Sequence, residues 1–275
     1  MIPELSLKSG DSIPAIGFGT WDIPEEDVEE HVRTALEAGY NHIDTAEGYR
    51  NEAGIGRVIK DYDREELFIT SKVLPANLNY ENVIESAEQS LLRLGTSYLD
   101  LYLIHWPNPA ISLRETLNAM AVLHEKGMVK NIGVSNFSFY QLMFAQKISR
   151  VPISVNQVEF HPYLYQKDLL DYCRENDIVL SASAPLARTE VFDDLVIKEL
   201  ADKYNKTQAQ IVLRWELEKG IAALPKSTNP EHIKSNLEVF DFELEEKDHK
   251  IIDDLETEKR VYMINLESET YGIRG

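Results

Sequence analysis

Asp44, Tyr49, Lys72 and His105 are the residues whose types and spacing offer chemistry. They stand in HIDTAEGYRNE, ITSKV and YLIHWP, three stretches in which a short apolar run ends in, or leads to, a titratable side chain. Together they suit proton donation to a carbonyl oxygen. A phenol with a pKa of about 10 is a poor acid near neutrality, but a neighbouring ammonium favours the phenolate, each pKa unit being worth about 1.4 kcal/mol. Lys72 is the candidate for that charge. A lysine held away from water tends to lose its proton, and a carboxylate beside it keeps it charged, which gives Asp44 a role. His105 as a neutral imidazole can hydrogen-bond the carbonyl oxygen and orient it. Taken singly, a strand-end aspartate caps a helix, a lysine or tyrosine lies at the surface, and a histidine is a core residue. Only their convergence makes a site.

Convergence requires elements that aim these side chains at one place. Apolar runs alternate with segments of helical period: AIGFGTW and EDVEEHVRTALEAG, HIDTA and NEAGIGRVIKDY, LFITSKV and YENVIESAEQSLLRLG, LDLYLIHWP and LRETLNAMAVLHEKG. KNIGVSNF with SFYQLMFAQKIS, ISVNQVEF with KDLLDYCREND, IVLSASAPL with DLVIKELADKYNKTQAQIVLRWELEKG, and IAALPKS with PEHIKSNLEVF bring the total to eight pairs. Several helical segments end in glycine, at Gly39, Gly95, Gly127 and Gly220. Eight βα units in about 250 residues predict an α/β fold, a closed (β/α)8 TIM barrel with active-site residues at the carboxyl ends of its strands. The rival open sheet would carry a dinucleotide on G-x-G-x-x-G after the first strand, and Gly17-Phe18-Gly19-Thr20-Trp21-Asp22 there lacks the third glycine. LKSGDSIPAIG, turning at Gly10-Asp11, reads as an N-terminal β-hairpin capping the barrel bottom. With no linker or composition shift, residues 1–275 are read as a single domain.

Composition narrows the partners. The chain has 275 residues, 43% of them hydrophobic, enough for a large core. Forty-seven acidic against 28 basic residues leave a net charge of -19, which repels nucleic acid and anionic membranes. No basic leader or long apolar run is present, so a cytoplasmic protein without a membrane partner is expected. A lone cysteine, Cys173, excludes an internal disulfide and a cysteine-based zinc site, and no metal is expected.

GFGTW, HIDTAEGYRNE, ITSKV, LYLIHWP, IGVSNF, NQVEFHPY and LPKSTNPEHIKSNLEVFDFEL together make the chain resemble the aldo-keto reductase family, in order and over nearly its whole length. The resemblance implies a catalytic tetrad of Asp44, Tyr49, Lys72 and His105, with Tyr49 as proton donor. It implies NADPH lying extended across the barrel top and giving hydride to an aldehyde or ketone, a small-molecule carbonyl substrate. Thr20, Ser135, Asn136, Gln157, Ser183 and Leu186 then fall on the nicotinamide side; Lys226 and Ser227 fall at the adenosine 2′-phosphate, with His232 close by and Asn236 at the adenine. Trp21, His105 and Trp106 fall on the substrate pocket. A monomer or weak homo-oligomer is expected.

Three departures from the family pattern stand out. Ser183 in ASAPLA replaces an aromatic residue that stacks on the nicotinamide, a contact worth about 0.5 to 1.5 kcal/mol, so weakened cofactor binding is expected unless another ring fills the gap. His232 replaces an arginine near the 2′-phosphate, which opens NADH as a second cofactor. Leu74 stands where a pocket tryptophan is common, and the tail EKRVYMINLESETYGIRG matches nothing in the family's variable end, leaving the substrate open. The alternatives are a nicotinamide-binding regulatory or redox-sensing subunit with slow turnover, and a barrel lyase or isomerase.

Overall fold

The computed structural model describes residues 2–262; the part of the tail from 263 to 275 lies outside the described residues. Two strands, β1 (Glu4–Ser6) and β2 (Ser12–Pro14), pair antiparallel as a hairpin, with Gly10 in the left-handed region at φ 98° between them. Eight parallel strands follow: β3 (Phe18–Gly19), β4 (His42–Asp44), β5 (Phe68–Val73), β6 (Leu99–Ile104), β7 (Val129–Ser135), β8 (Ile153–Glu159), β9 (Val179–Ser183) and β10 (Ala222–Ala223), each hydrogen-bonded to the next in sequence order. The ring closes where Ile16 bridges Ala223 in parallel: the Gly17 amide donates to the Ala223 carbonyl at 2.9 Å, and the Ala223 amide to the Ala15 carbonyl at 2.9 Å. This is the (β/α)8 barrel with its hairpin cap. Leu7 and Ile13 of the hairpin region pack against the inward-facing Phe68, Leu101, Leu103 and Val155, which plugs the bottom with apolar side chains.

The helices are α1 (Glu25–Ala38), α2 (Glu52–Ile59), α3 (Tyr80–Leu94), α4 (Leu113–Glu125), α5 (Phe139–Ile148), α6 (Lys167–Glu175), α7 (Leu195–Tyr204), α8 (Gln208–Glu218), α9 (Pro230–Ser235) and α10 (Glu246–Asp253). None of them is long and apolar enough to cross a membrane. Their buried faces follow the helical period, as with Val28, Val32, Ala35 and Leu36 on α1. The glycines expected at helix ends do terminate them, Gly39 at φ 110° accepting the left-handed turn after α1. The stretch from Asp194 to Glu218, expected to be one helix, is two. Asn205 takes the left-handed conformation after α7, and Thr207 with Gln210 forms a reciprocal cap that starts α8 anew. α7 is thus an insertion, α8 covers the barrel before β10, and α10 lies outside the eight pairs.

Period-two alternation sets which side chains face the barrel axis. On the inner face of β4 and β5, His42 Nε2 lies 3.0 Å from Thr70 Oγ1, and one layer higher Asp44 meets Lys72. His42 packs so closely under the seam that a Cβ on Gly17 would stand 2.5 Å from its Nδ1, so only glycine fits there.

Candidate active site

The barrel delivers its polar residues to one rim. Asp44, Ser135 and Ser183 end β4, β7 and β9; Lys72 is one residue from the end of β5; Gln157 is two from the end of β8; and His105 directly follows β6. Tyr49 ends a single 3-10 turn, Glu47–Tyr49, after β4. That loop is pinned from several sides. Asn51, fully buried, accepts from Thr45 Oγ1 at 2.8 Å and donates to the carbonyls of Thr20 and Ile23 at 2.9 and 3.0 Å, tying it to the loop that carries Trp21. Glu52, also buried, accepts from Ser71 Oγ at 2.5 Å and pairs with Arg93 at 2.6 Å, fixing α2 to α3. Glu47 holds the Leu74 amide and the Asn77 side chain.

The Lys72 side chain is fully buried, with Nζ 2.6 Å from Asp44 Oδ1, 2.9 Å from the Thr45 carbonyl and 3.3 Å from Tyr49 Oη. Gln157 Nε2 donates to Asp44 Oδ2 at 2.8 Å across the barrel, so both carboxylate oxygens are engaged. The His105 ring meets the Tyr49 ring edge to face with centroids 5.5 Å apart. Burial, helped by the Lys72 charge, lowers His105 to about 3, so its imidazole is neutral at ordinary pH, as expected. Burial lowers Lys72, and the charge and hydrogen bond of Asp44 oppose that fall. The direction at Tyr49 differs from the sequence expectation. Burial raises its hydroxyl well above the ordinary phenol value and the Asp44 carboxylate adds to the rise, so Lys72 does not make Tyr49 a stronger acid in the resting site. The hydroxyl stays protonated. Its bond to Lys72 Nζ gives the phenolate a partner once the proton has left.

Asp44, Tyr49, His105 and Trp106 line a cavity of about 820 Å³ together with Ser135, Asn136, Gln157, Ser183, Lys226, Ser227 and Thr228. Trp21, Leu74 and Leu186 also line it. Asn136, at φ 62°, donates to the His105 carbonyl at 2.9 Å and to Ser135 Oγ at 3.0 Å. Lys226 reaches the rim through the barrel seam, where the Gly19 amide donates to the Pro225 carbonyl at 3.0 Å, and it has no carboxylate partner among the described residues. Three of the expected residues stand behind or outside the cavity wall. Thr20 is buried and directs Oγ1 to the Asp44 carbonyl at 2.9 Å, a brace for the strand end. His232, within α9, is exposed, and Asn236, which caps the end of α9, is buried; neither is among the lining residues.

Among the lining residues outside the sequence reading are Arg188 and Tyr262. Arg188 places its guanidinium 4.6 Å from the Trp21 ring and 5.7 Å from that of Tyr262. Tyr262 itself sets its hydroxyl 2.6 Å from Ser183 Oγ, so a ring from the chain's end stands at the position that lacks one. Neither had a sequence signal, because their partners lie 74 or more positions away.

Comparisons with known proteins identify the family. Residues 15–257 match the model of the Aldo/keto reductase family. An aldo-keto reductase of Mycolicibacterium smegmatis is 42% identical over 264 residues, 95% of this chain and 96% of that protein. A glyoxal reductase of Bacillus subtilis is 42% identical with 94% of each covered, and a methylglyoxal reductase of Escherichia coli 40% identical with 94% of each covered. The crystal structure of an aldo-keto reductase from a Medee basin deep-sea metagenome library superposes with a TM-score of 0.92 at 41% identity, over 94% of this chain and 97% of that one. A barrel with this rim, matched over nearly its whole length, belongs to the aldo/keto reductase family of oxidoreductases.

Proposed function

We propose that the chain reduces small uncharged α-oxoaldehydes, of the glyoxal and methylglyoxal kind, with NADPH as the preferred nicotinamide nucleotide. The observation that carries this reading is the contact of Lys72 Nζ with both Asp44 and Tyr49 beside a cavity whose wall also holds the carboxylate-free Lys226. The side chains suit the nucleotide: about 820 Å³ accommodates a large ligand, and the wall offers a cation at Lys226 together with the amide and hydroxyl groups of Ser135, Asn136 and Gln157. The nucleotide supplies hydride to the carbonyl carbon. Tyr49 supplies the proton to the carbonyl oxygen, and Lys72, kept charged by Asp44, steadies the phenolate left behind. His105, neutral at ordinary pH, orients the oxygen. Two of the relatives reduce glyoxal or methylglyoxal by name, and the net charge of -19 disfavours anionic substrates.

Lys226 favours the phosphate of NADPH, while the exposed His232 offers no guanidinium fork to hold it, so NADH is a working second cofactor. The ratio of catalytic efficiencies is expected below about a thousandfold, or about 4 kcal/mol. The test follows the reduced nicotinamide absorbance with glyoxal, methylglyoxal and neutral and anionic aldehydes, in the native chain and Tyr49→Phe. Turnover that disappears in the variant supports the assignment. Undiminished turnover in Tyr49→Phe removes Tyr49 from the role, and tight NADPH binding with no turnover in either protein favours a regulatory subunit.

A further inference from the structure

The segment after α10 is strapped across the barrel mouth by a succession of contacts. Glu256 accepts from the Tyr165 amide, the Thr257 and Lys259 amides both donate to the Tyr163 carbonyl at 3.2 and 3.0 Å, and Lys259 pairs with Glu190. The last contact before the cavity is made by Glu159, the terminal residue of β8. Its side chain is fully buried, and Oε1 takes the Val261 amide at 2.6 Å and His161 Nε2 at 2.9 Å, while Arg260 stands 3.7 Å from Oε2. A buried carboxylate is costly unless its partners hold it, and here one of those partners is the backbone of the strap itself. The next residue is Tyr262. Its hydroxyl lies 2.6 Å from Ser183 Oγ and 3.5 Å from Asn136 Oδ1, its ring meets Trp106 edge to face at 6.1 Å, and it forms part of the cavity wall next to Ser135.

We propose that Glu159 is a positioning residue that latches the strap at Val261, so that Tyr262 forms the aromatic wall against which the nicotinamide end of the cofactor binds. The proposal rests on the reading of this cavity as a nicotinamide nucleotide site. Ser183 carries no ring, and a flat heteroaromatic group beside Asn136 gains from an aromatic neighbour. The hydrogen bond to Ser183 fixes the tilt of that neighbour, and the latch fixes its reach.

The closing experiment measures dissociation constants of NADPH and of 2′-phospho-ADP-ribose, which shares its phosphates and adenosine but lacks the nicotinamide. Native protein, Tyr262→Ala, Glu159→Ala, Glu159→Gln and the double alanine variant are compared. Tyr262→Ala is expected to weaken NADPH about fivefold with the fragment unchanged. Glu159→Ala should do the same, and Glu159→Gln, which keeps a carbonyl acceptor for the Val261 amide, should recover most of the loss. The double variant should bind NADPH no worse than Tyr262→Ala, because the latch acts only through the ring. Unchanged or tighter NADPH binding in Tyr262→Ala overturns the proposal, the latter showing that the ring obstructs the site. Equal weakening of NADPH and fragment in Glu159→Ala also overturns it, since the effect is then general to the fold. If the native protein binds neither ligand, the nucleotide reading falls and this one with it; if it binds both and the variants do not discriminate, only this one falls.

Discussion

Replacing Asp44 by asparagine leaves the shape of the rim nearly intact and removes one charge. Lys72 is fully buried, and Asp44 supplies both the charge and one of the hydrogen bonds that oppose its loss of a proton; the Coulomb effect of Glu52 is the remaining support. Breaking a buried pair by removing one partner costs about 3 to 5 kcal/mol when the other stays charged. The lysine has an escape, because it can release its proton. Its folded pKa is already depressed, and without Asp44 it falls further, while in the unfolded chain it stays near 10.4. Between those values the unfolded state binds more protons, so stability rises with pH. The deficit of Asp44→Asn relative to the native protein is therefore expected to be largest at low pH, up to about 3 to 5 kcal/mol, and to shrink by as much as about 1.4 kcal/mol per unit once pH exceeds the variant's Lys72 pKa. Urea unfolding of both proteins at intervals from pH 6 to 9.5 measures it, with the slope of each transition checked for constancy. Turnover should fall at least tenfold once pH exceeds that pKa, because a neutral Lys72 cannot steady the Tyr49 phenolate. A deficit that is constant across the range, or that grows with pH, refutes the idea that Asp44 exists to keep Lys72 charged.

Three further outcomes are expected. Burial holds His42 near 4 and His105 near 3; both take up protons more readily unfolded, near 6.5, so stability is complete above that pH and declines as pH falls toward 4, with a combined slope up to about 2.7 kcal/mol per unit. Acid unfolding of the native chain and of His42→Gln, which should show about half this slope, tests it. Gly17→Ala places a Cβ 2.5 Å from His42 Nδ1 and 2.8 Å from Leu224 Cδ2, and is expected to destabilise by about 1 to 3 kcal/mol, read as a lower Tm. Ser183→Tyr should not improve NADPH affinity in the native background, where the Tyr262 phenol stands against position 183, but should improve it a few-fold in Tyr262→Ala, as measured by fluorescence titration.

The barrel and the convergence of Asp44, Tyr49, Lys72 and His105 were legible in the sequence for a common reason. Both follow local rules: apolar runs of strand length alternate with helical periods, and chemistry sits where a run ends, as at Asp44 and His105. What escaped has no local rule. The break between α7 and α8 turns on Asn205 accepting a left-handed conformation inside a stretch that otherwise keeps helical period. The sense of the Tyr49 shift depends on burial, which outweighs the neighbouring charge and cannot be counted along the chain. Asn51 and Glu52, at the polar end of HIDTAEGYRNE, are both buried braces whose partners are on other elements. Ser183 read as a deficit because the ring beside it arrives from 79 positions later.

The seam of the barrel lies directly beneath the cavity, since the first strand carries Trp21 toward the rim and the last leads into Lys226. Joining the two ends of the ring and assembling the site are therefore one event, completed only after the final strand has left the ribosome. A ligand that touches both sides of the seam acts as a clasp on it, and the amides of Gly17 and Ala223, which hold the joint, are where its grip should register as slowed hydrogen exchange.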